Sequence, residues 1–168
     1  MKDVDTTLKL TIELVPLSCW GQNLRSQVTK NRWKRIRQPY LEKFNNTCGI
    51  CGSDHLIGLH EVWEYDDKQL TQRLAGFIPL CELCRYVKHI GRANILAKEG
   101  KLDYSKVISH FLTVNQCNLE TFESHYKESF EIWGERSLHE WKLDLGEFKG
   151  VFPDKSMSTS ENPVQEKL

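Results

Sequence analysis

Two C-x-x-C pairs place the strongest constraint on how this chain folds. The first is Cys48-Gly-Ile-Cys51 and the second is Cys81-Glu-Leu-Cys84, with 29 residues between them. Each pair sets two thiolates on one side of a tight turn, and two such turns supply the four sulfur ligands of a tetrahedral Zn²⁺ site. Disulfides or a redox-active pair are the alternatives, but a reducing compartment and the presence of two pairs favour zinc. Because four thiolates fill the coordination sphere, we expect a structural ion with no catalytic role.

Length and composition indicate a single globular domain. The chain has 168 residues, of which 39% are hydrophobic and 27% charged, and its mean hydropathy is −0.52. No stretch approaches the ~20 apolar residues that a membrane span needs, and the N-terminus lacks the apolar region of a signal peptide. We therefore predict a cytoplasmic protein with no membrane partner. One domain is expected over 1–150, followed by a disordered tail at 151–168 that is almost devoid of apolar residues.

The net charge is zero, but the charges are separated along the chain. No acidic residue occurs between positions 14 and 41, whereas acidic residues dominate positions 117–147. A block of like charge is either a solvated surface or a binding surface for nucleic acid, and both interpretations remain open for the basic stretch. Its candidate nucleic-acid-binding residues are Arg25, Arg32, Lys34, Arg35 and Arg37.

Hydrophobic periodicity predicts the elements on both sides of the cysteines. Alternating Leu8, Leu10, Ile12 and Leu14 predict an N-terminal strand. Apolar residues at three- and four-residue steps over 33–44 predict a helix with a kink or boundary at Pro39. The C-terminal part is expected to form helices at 107–114 and 119–133, the second capped by Asn118, and a short closing strand at 141–145.

The segment between the cysteine pairs predicts a β-hairpin. Apolar runs at 56–65 and 74–80 flank the turn signal Asp66-Asp67. Helical spacing then continues from Cys81 to Ile90, with Gly91 as the expected C-terminal stop. The predicted order is therefore strand, strand, helix, with the four cysteine ligands of the zinc ion holding the base of this unit together.

This arrangement resembles the HNH endonucleases of the ββα-metal type. The matching residues are Cys48-Gly-Ile-Cys51, Leu59-His60-Glu61-Val62-Trp63 and the run from Gly76 through Leu80-Cys81-Glu-Leu-Cys84 to His89, within residues 48–91. The resemblance implies an α+β fold: a zinc-stabilised ββα (His-Me finger) core with an added N-terminal strand and helix and C-terminal helices. It also implies hydrolysis of DNA phosphodiester bonds, with Mg²⁺ or Mn²⁺ as the catalytic ion.

The resemblance assigns roles to two histidines. His60 is the candidate general base, since an imidazole can accept a proton near neutral pH, and His89 is the candidate ligand of the catalytic metal. A structural histidine is the alternative for His60, and a helix-terminal charge for His89. If the strand is regular, Glu64 and Asp66 share the face of His60 and are either replacement ligands or part of a solvated turn.

Three positions depart from the family pattern. Leu59 stands where a metal-binding Asp or His is common, Gly76 where an Asn orients the catalytic histidine, and Arg85 where a histidine follows the fourth cysteine. Arg85 lies four residues before His89, so both are expected to point toward His60. A guanidinium at this position cannot ligate a metal but can bind a phosphate.

These departures leave a second function open. In that reading the chain is a catalytically inactive HNH-like zinc module that binds nucleic acid or a phosphorylated ligand through Arg85, Lys88 and the basic stretch. An interaction protein that uses its acidic helices is a third possibility. The sequence assigns no role to His55, His110, His125 or His139, and it favours buried apolar roles for Cys19 and Cys117.

Overall fold

The computed structural model describes residues 8–25 and 28–151 of the chain. Within these residues the fold is α+β, with a small three-stranded sheet. Most of the predicted tail, residues 152–168, lies outside the described part. In chain order the elements are a 3-10 turn Leu17–Cys19, α1 Lys30–Lys43, β1 Leu56–Asp66, β2 Thr71–Cys81, α2 Glu82–Lys88, α3 Ile90–Lys98, α4 Tyr104–Asn115, α5 Leu119–Arg136, β3 Lys142–Asp144 and a 3-10 helix Gly146–Val151.

The predicted hairpin is confirmed as the antiparallel pair β1 and β2. The Asp66 carboxylate accepts the backbone N–H groups of Lys68 and Gln69, both at 3.0 Å, and this closes the turn. The register shifts twice within the hairpin, once between Leu56 and Gly58 and once between Val62 and Trp63. At the second shift Val62 lies opposite Gly76, but the next residue of β1 lies opposite Leu74. The skipped residue forms a bulge in β2. It adjoins Gly76, whose φ of +153° is rare for residues that carry a side chain.

The short closing strand is also confirmed. β3 pairs with β2 in parallel, and the sheet order is β1-β2-β3. Parallel neighbours need a long crossover connection, which α2 to α5 provide here. The C-terminal part of the domain is thereby attached to the outer edge of the hairpin.

The predicted N-terminal strand is wrong, although its burial pattern is right. Leu10 and Ile12 are buried as the alternation predicted, with 0% and 4% exposure. Their backbone groups, however, bond to helix side chains instead of a neighbouring strand. Leu10 exchanges two 2.8 Å hydrogen bonds with the Asn115 amide, and the Ile12 N–H donates to His125 Nε2 at 2.9 Å. An extended segment whose backbone is satisfied by side chains needs no sheet partner.

The basic helix packs on one face of the hairpin. α1 begins at the Thr29 cap and runs through Pro39, so this proline marks no boundary. Trp33 and Tyr40 meet Phe77 of β2 edge-on, with ring centroids 5.5 and 5.2 Å apart. Around this contact lies a second core, whose buried residues are Leu24, Val28, Leu74, Phe77 and Phe148.

The helix after the second cysteine pair ends earlier than predicted. α2 stops at Lys88, and the His89 N–H still bonds to the Arg85 carbonyl at 2.9 Å. α3 then begins at Ile90 and passes through Gly91, which has no positive φ and therefore does not act as a C-terminal stop. The prediction of a stop at Gly91 is wrong, because the helix is interrupted at His89, two residues earlier.

The two predicted C-terminal helices are confirmed as α4 and α5, and the Asn118 side chain caps α5 by accepting the Thr121 N–H at 3.0 Å. They close the main core on the opposite face of the hairpin from α1. The buried residues of this main core are Leu10, Ile12, Cys48, Ile50, Leu80, Cys81, Cys84, Val87, Ile90, Ala93, Val107, Phe111 and Phe122.

Candidate metal centre and histidine site

The four predicted zinc ligands come together at the base of the hairpin. Cys48 and Cys51 lie in the loop before β1, Cys81 ends β2, and Cys84 lies in α2. Their sulfur atoms all lie within 4.8 Å of one another. The Cys51 and Cys81 sulfurs are 3.5 Å apart, and all the cysteines are free, so these residues form no disulfide.

The turn that holds the first pair follows from its glycines. The Gly52 N–H donates to the Cys48 carbonyl at 2.9 Å, and Gly52 has a φ of +81° that favours glycine. A Cβ atom on Gly49 would overlap the side chains of Ile78 in β2 and of Phe44 at the end of α1, so any larger residue would have to displace them. Both glycines therefore favour the turn that brings the first pair against β2.

The electrostatics of the cluster fit a divalent ion. A hydrogen bond joins the thiols of Cys48 and Cys84. It lowers the pKa of Cys48 to about 4 and raises the pKa of Cys84. Burial raises the pKa of Cys81 to about 11. Four sulfurs this close cannot all ionise without a positive charge between them, and a thiolate-binding Zn²⁺ supplies that charge. The four cysteines could thus hold a metal ion such as zinc.

His110, to which the sequence assigned no role, adjoins this cluster. Its Nε2 lies 3.1 Å from the Cys84 sulfur. Burial lowers the pKa of His110, so the neutral imidazole can donate its proton to a Cys84 thiolate. The contact forms because α4 packs on α2, which motif spacing does not reveal. One sequence signal does place His110 on the core-facing side of α4: it lies three residues after Val107, which is buried.

The predicted catalytic pair, His60 and His89, is also brought together. His60 lies on β1 and is 8% exposed, and His89 lies between α2 and α3. Their ring centroids are 4.9 Å apart, with an interplanar angle of 72°. The two histidines therefore line one site, as their motif positions implied.

A carboxylate that the sequence did not single out completes this site. Glu13 Oε2 lies 2.7 Å from His60 Nε2. Glu13 comes from the extended N-terminal segment, where its N–H donates to the Lys88 carbonyl at 3.0 Å. Its other oxygen forms an ion pair with the Lys88 ammonium, which also donates to Thr11 Oγ1 at 3.0 Å. We call His60, His89, Glu13 and Lys88 the histidine site.

The charges of the histidine site are fixed by these contacts. Burial acts to raise the pKa of Glu13, but hydrogen bonds and positive charge from His60 and Lys88 outweigh it and lower the pKa to about 2. Burial, together with the nearby His60 and Arg85, lowers the pKa of His89 to about 4. At neutral pH Glu13 is therefore anionic and His89 is neutral.

The carboxylates of β1 do not supply ligands to this site. Glu64 forms an exposed ion pair with Arg73 on the neighbouring strand, and Asp66 closes the hairpin turn. These are the contacts of a solvated hairpin end. The carboxylate that reaches His60 comes from the N-terminal segment, 47 residues away in sequence.

The three departures from the HNH pattern have distinct surroundings. Leu59 packs in the second core, on the opposite side of β1 from His60. A Cβ atom on Gly76 would lie 3.4 Å from the Tyr40 hydroxyl, beside α1. Arg85 lies four residues before His89, and its charge contributes to the lowered pKa of that histidine. Of the three, Arg85 is the one whose charge acts on the histidine site.

The predicted nucleic-acid-binding residues divide between two faces of the hairpin. α1 packs against Phe77 and Leu59, whereas Ile78, which pairs with His60, packs in the main core. The basic helix and the histidine site therefore lie on opposite faces. Lys88 is 7% exposed and paired with Glu13, so its ammonium does not face solvent. The basic residues of the α1 side are Arg25, Arg32, Lys34, Arg35 and Arg37, of which Lys34, Arg35 and Arg37 are exposed.

The donor set of the histidine site does not fit a catalytic Mg²⁺ or Mn²⁺. Among the described residues, the four cysteines are the one group of three or more His, Cys, Asp or Glu side chains placed to hold a metal. Both oxygens of Glu13 are already engaged, one of them by an ammonium. A divalent ion would have to displace Lys88 before it could bind there.

None of the helices in residues 8–25 and 28–151 has the length and apolar character that a membrane crossing requires. Comparison with protein-family models, with curated proteins and with solved structures yields no match. The function is therefore inferred from the geometry of the two sites.

Proposed function

We propose that this protein is an HNH-type endonuclease that hydrolyses DNA phosphodiester bonds around a zinc-stabilised ββα core. The observation that carries the proposal is the contact between His60 and Glu13. It places an imidazole with a carboxylate partner on the hairpin, facing the helix that follows it. The four cysteines support the same interpretation, because they tie the hairpin to this helix at its base.

His60 acts as the general base in this proposal. The Glu13 carboxylate holds the ring through Nε2, so Nδ1 is the nitrogen left to take a proton from the attacking water. The water oxygen bonds to phosphorus as the P–O3′ bond breaks, and the leaving O3′ takes a proton from solvent. The carboxylate also stabilises the imidazolium that forms, as the third group of a nucleophile–base–orienter set does.

Arg85 is the proposed phosphate-binding residue beside this base. A guanidinium can bind two phosphate oxygens at once and can neutralise the charge that develops during hydrolysis. The exposed cations of α1 bind the DNA backbone outside the histidine site, because they lie on the other face of the hairpin. The cytoplasm is the proposed location, where reducing conditions keep the cysteines free to bind zinc.

A plasmid-nicking assay tests this function. Supercoiled plasmid is incubated with zinc-loaded protein, with and without Mg²⁺ or Mn²⁺, and conversion to open circles is followed by gel electrophoresis. We expect nicking by the wild type and its loss in His60→Ala. His55→Ala is the matched control, because the side chain of His55 is 93% exposed and belongs to neither site. Equal nicking by all three proteins would contradict the proposal.

The burial of His60 favours a second candidate function. A ring that is 8% exposed and bonded to a carboxylate also suits a structural histidine. In that case the chain is an inactive HNH-like zinc module that binds nucleic acid, or a phosphorylated ligand, through Arg85 and the basic face of α1. A gel shift without nicking would support this binder, and its affinity should fall steeply with salt because phosphate contacts release counterions.

A further inference from the structure

The Glu13 carboxylate is already paired with a cationic side chain, that of Lys88. Oε2 bonds to His60 Nε2 at 2.7 Å, and Oε1 is paired with the Lys88 ammonium. Glu13 is the carboxylate that the fold brings to His60, so it is the ligand that a divalent ion would need beside the two histidines. Lys88 occupies the position of that ion next to the carboxylate.

The Lys88 ammonium is held in this position from several directions. Its side chain is 9% exposed, and Nζ also donates to Thr11 Oγ1 at 3.0 Å. The backbone is tied to the same segment, because the Lys88 carbonyl accepts the Glu13 N–H at 3.0 Å. The ammonium cannot move away without losing both its ion pair with Glu13 and its bond to Thr11, and the backbone bond keeps Glu13 beside it.

The remaining charges also disfavour a second cation. Arg85 is close enough for its charge to lower the pKa of His89, and Lys88 acts on His89 in the same direction. A divalent ion at His60 and His89 would meet two fixed positive side chains and one carboxylate that is already neutralised. An anionic ligand at the same place would meet a favourable potential.

We propose that Lys88 is a built-in cation that takes the place of a divalent metal beside Glu13, so that the histidine site binds no Mg²⁺ or Mn²⁺. This inference rests on the site of the proposed function, but it concerns the binding of metal and is tested without nucleic acid. Failure of the nicking assay therefore leaves its test unchanged.

Manganese binding is the direct test. Zinc-loaded protein is titrated with Mn²⁺, and free Mn²⁺ is followed by electron paramagnetic resonance. The proteins compared are the wild type, Glu13→Gln, Lys88→Met, Lys88→Arg and the double variant Lys88→Met with Glu13→Gln. Circular dichroism and zinc content establish that each variant is folded.

The wild type and Glu13→Gln are expected to bind Mn²⁺ equally weakly, because Lys88 already neutralises the carboxylate. Lys88→Met frees the carboxylate, and we expect it to bind one Mn²⁺ at least about tenfold more tightly than the wild type. Lys88→Arg keeps the positive charge and should behave as the wild type. The double variant should lose the gained site.

Two results would overturn the proposal. One is a wild-type Mn²⁺ site that disappears in Glu13→Gln, and the other is a folded Lys88→Met variant with no gain in affinity. The first comparison does not involve a change at Lys88, so it decides the question even where Lys88→Met fails to fold.

Discussion

The imidazole of His60 and the carboxylate of Glu13 form a 2.7 Å contact between residues 47 positions apart. The contact joins the hairpin to the N-terminal segment, and Lys88 joins the same carboxylate to the end of α2. One acidic residue therefore links three separate parts of the chain at the candidate catalytic site. Its removal is expected to affect stability and activity together.

Glu13→Gln should lower the free energy of unfolding by about 2–4 kcal/mol, because it leaves the buried Lys88 ammonium without its counter-charge. It should also reduce nicking, since the amide no longer stabilises protonated His60. Urea denaturation followed by circular dichroism measures the first effect. Glu99→Gln is the matched control: it breaks an exposed ion pair with Lys101 and should cost at most about 1 kcal/mol. Equal losses in both variants would contradict the account of Glu13.

Glu61 is expected to make stability depend on pH. Burial raises the pKa of Glu61 from 4.5 to about 7, although the backbone N–H groups of Leu24 and Arg25 oppose the shift. The folded state thus holds a proton that the unfolded state has lost, so this contribution to stability is present below pH 4.5 and is lost as the pH rises through about 7.

Glu61→Gln should remove this pH dependence and keep an oxygen to accept the Leu24 N–H. We expect the variant to be more stable than the wild type by about 1–3 kcal/mol near pH 8 and equally stable near pH 4.5. Urea denaturation at the two pH values measures the difference. A constant difference between the two proteins across this range would contradict the assignment.

Gly76→Ala should destabilise the hairpin by about 1–2 kcal/mol, because position 76 has a φ of +153° and adjoins the Tyr40 hydroxyl. Thermal unfolding measures the loss. Gly58→Ala is the matched control in β1: its φ is not positive and an added Cβ would meet nothing within 4 Å. A loss at position 58 as large as that at position 76 would show that the positive φ at position 76 is not the cause.

His110→Ala should loosen the metal centre without unfolding the protein. The variant loses the hydrogen bond to the Cys84 sulfur, and the loss of such an outer contact weakens metal binding by about 10–100-fold. Transfer of zinc to a chromogenic chelator should therefore be faster than in the wild type. Unchanged transfer kinetics would show that His110 does not support the cluster.

Local signals were enough to predict the hairpin, both C-terminal helices and the convergence of the four cysteines. Each of these follows from short-range patterns: alternation in the strands, helical spacing and an Asn118 cap, and paired cysteines in tight turns. The motif positions of His60 and His89 also placed them at one site, where their rings are 4.9 Å apart.

Contacts between distant segments could not be predicted in this way. The alternation around Glu13 correctly identified Leu10 and Ile12 as buried, but the same alternation suits a strand and an extended segment held by helix side chains. The role of Glu13 depends on which helix lies beside that segment. His110 likewise reaches Cys84 through the packing of α4 on α2, and no spacing rule encodes that contact.

The zinc content of the purified protein tests the central claim most directly, since the cysteine cluster fixes the hairpin and α2 that build the histidine site. Elemental analysis should find one zinc per chain in the wild type and in Cys117→Ser, which changes a half-buried cysteine outside the cluster. Cys84→Ser should lose most of the metal and should unfold at a lower temperature. A wild-type protein that is folded and contains no stoichiometric zinc would contradict the account.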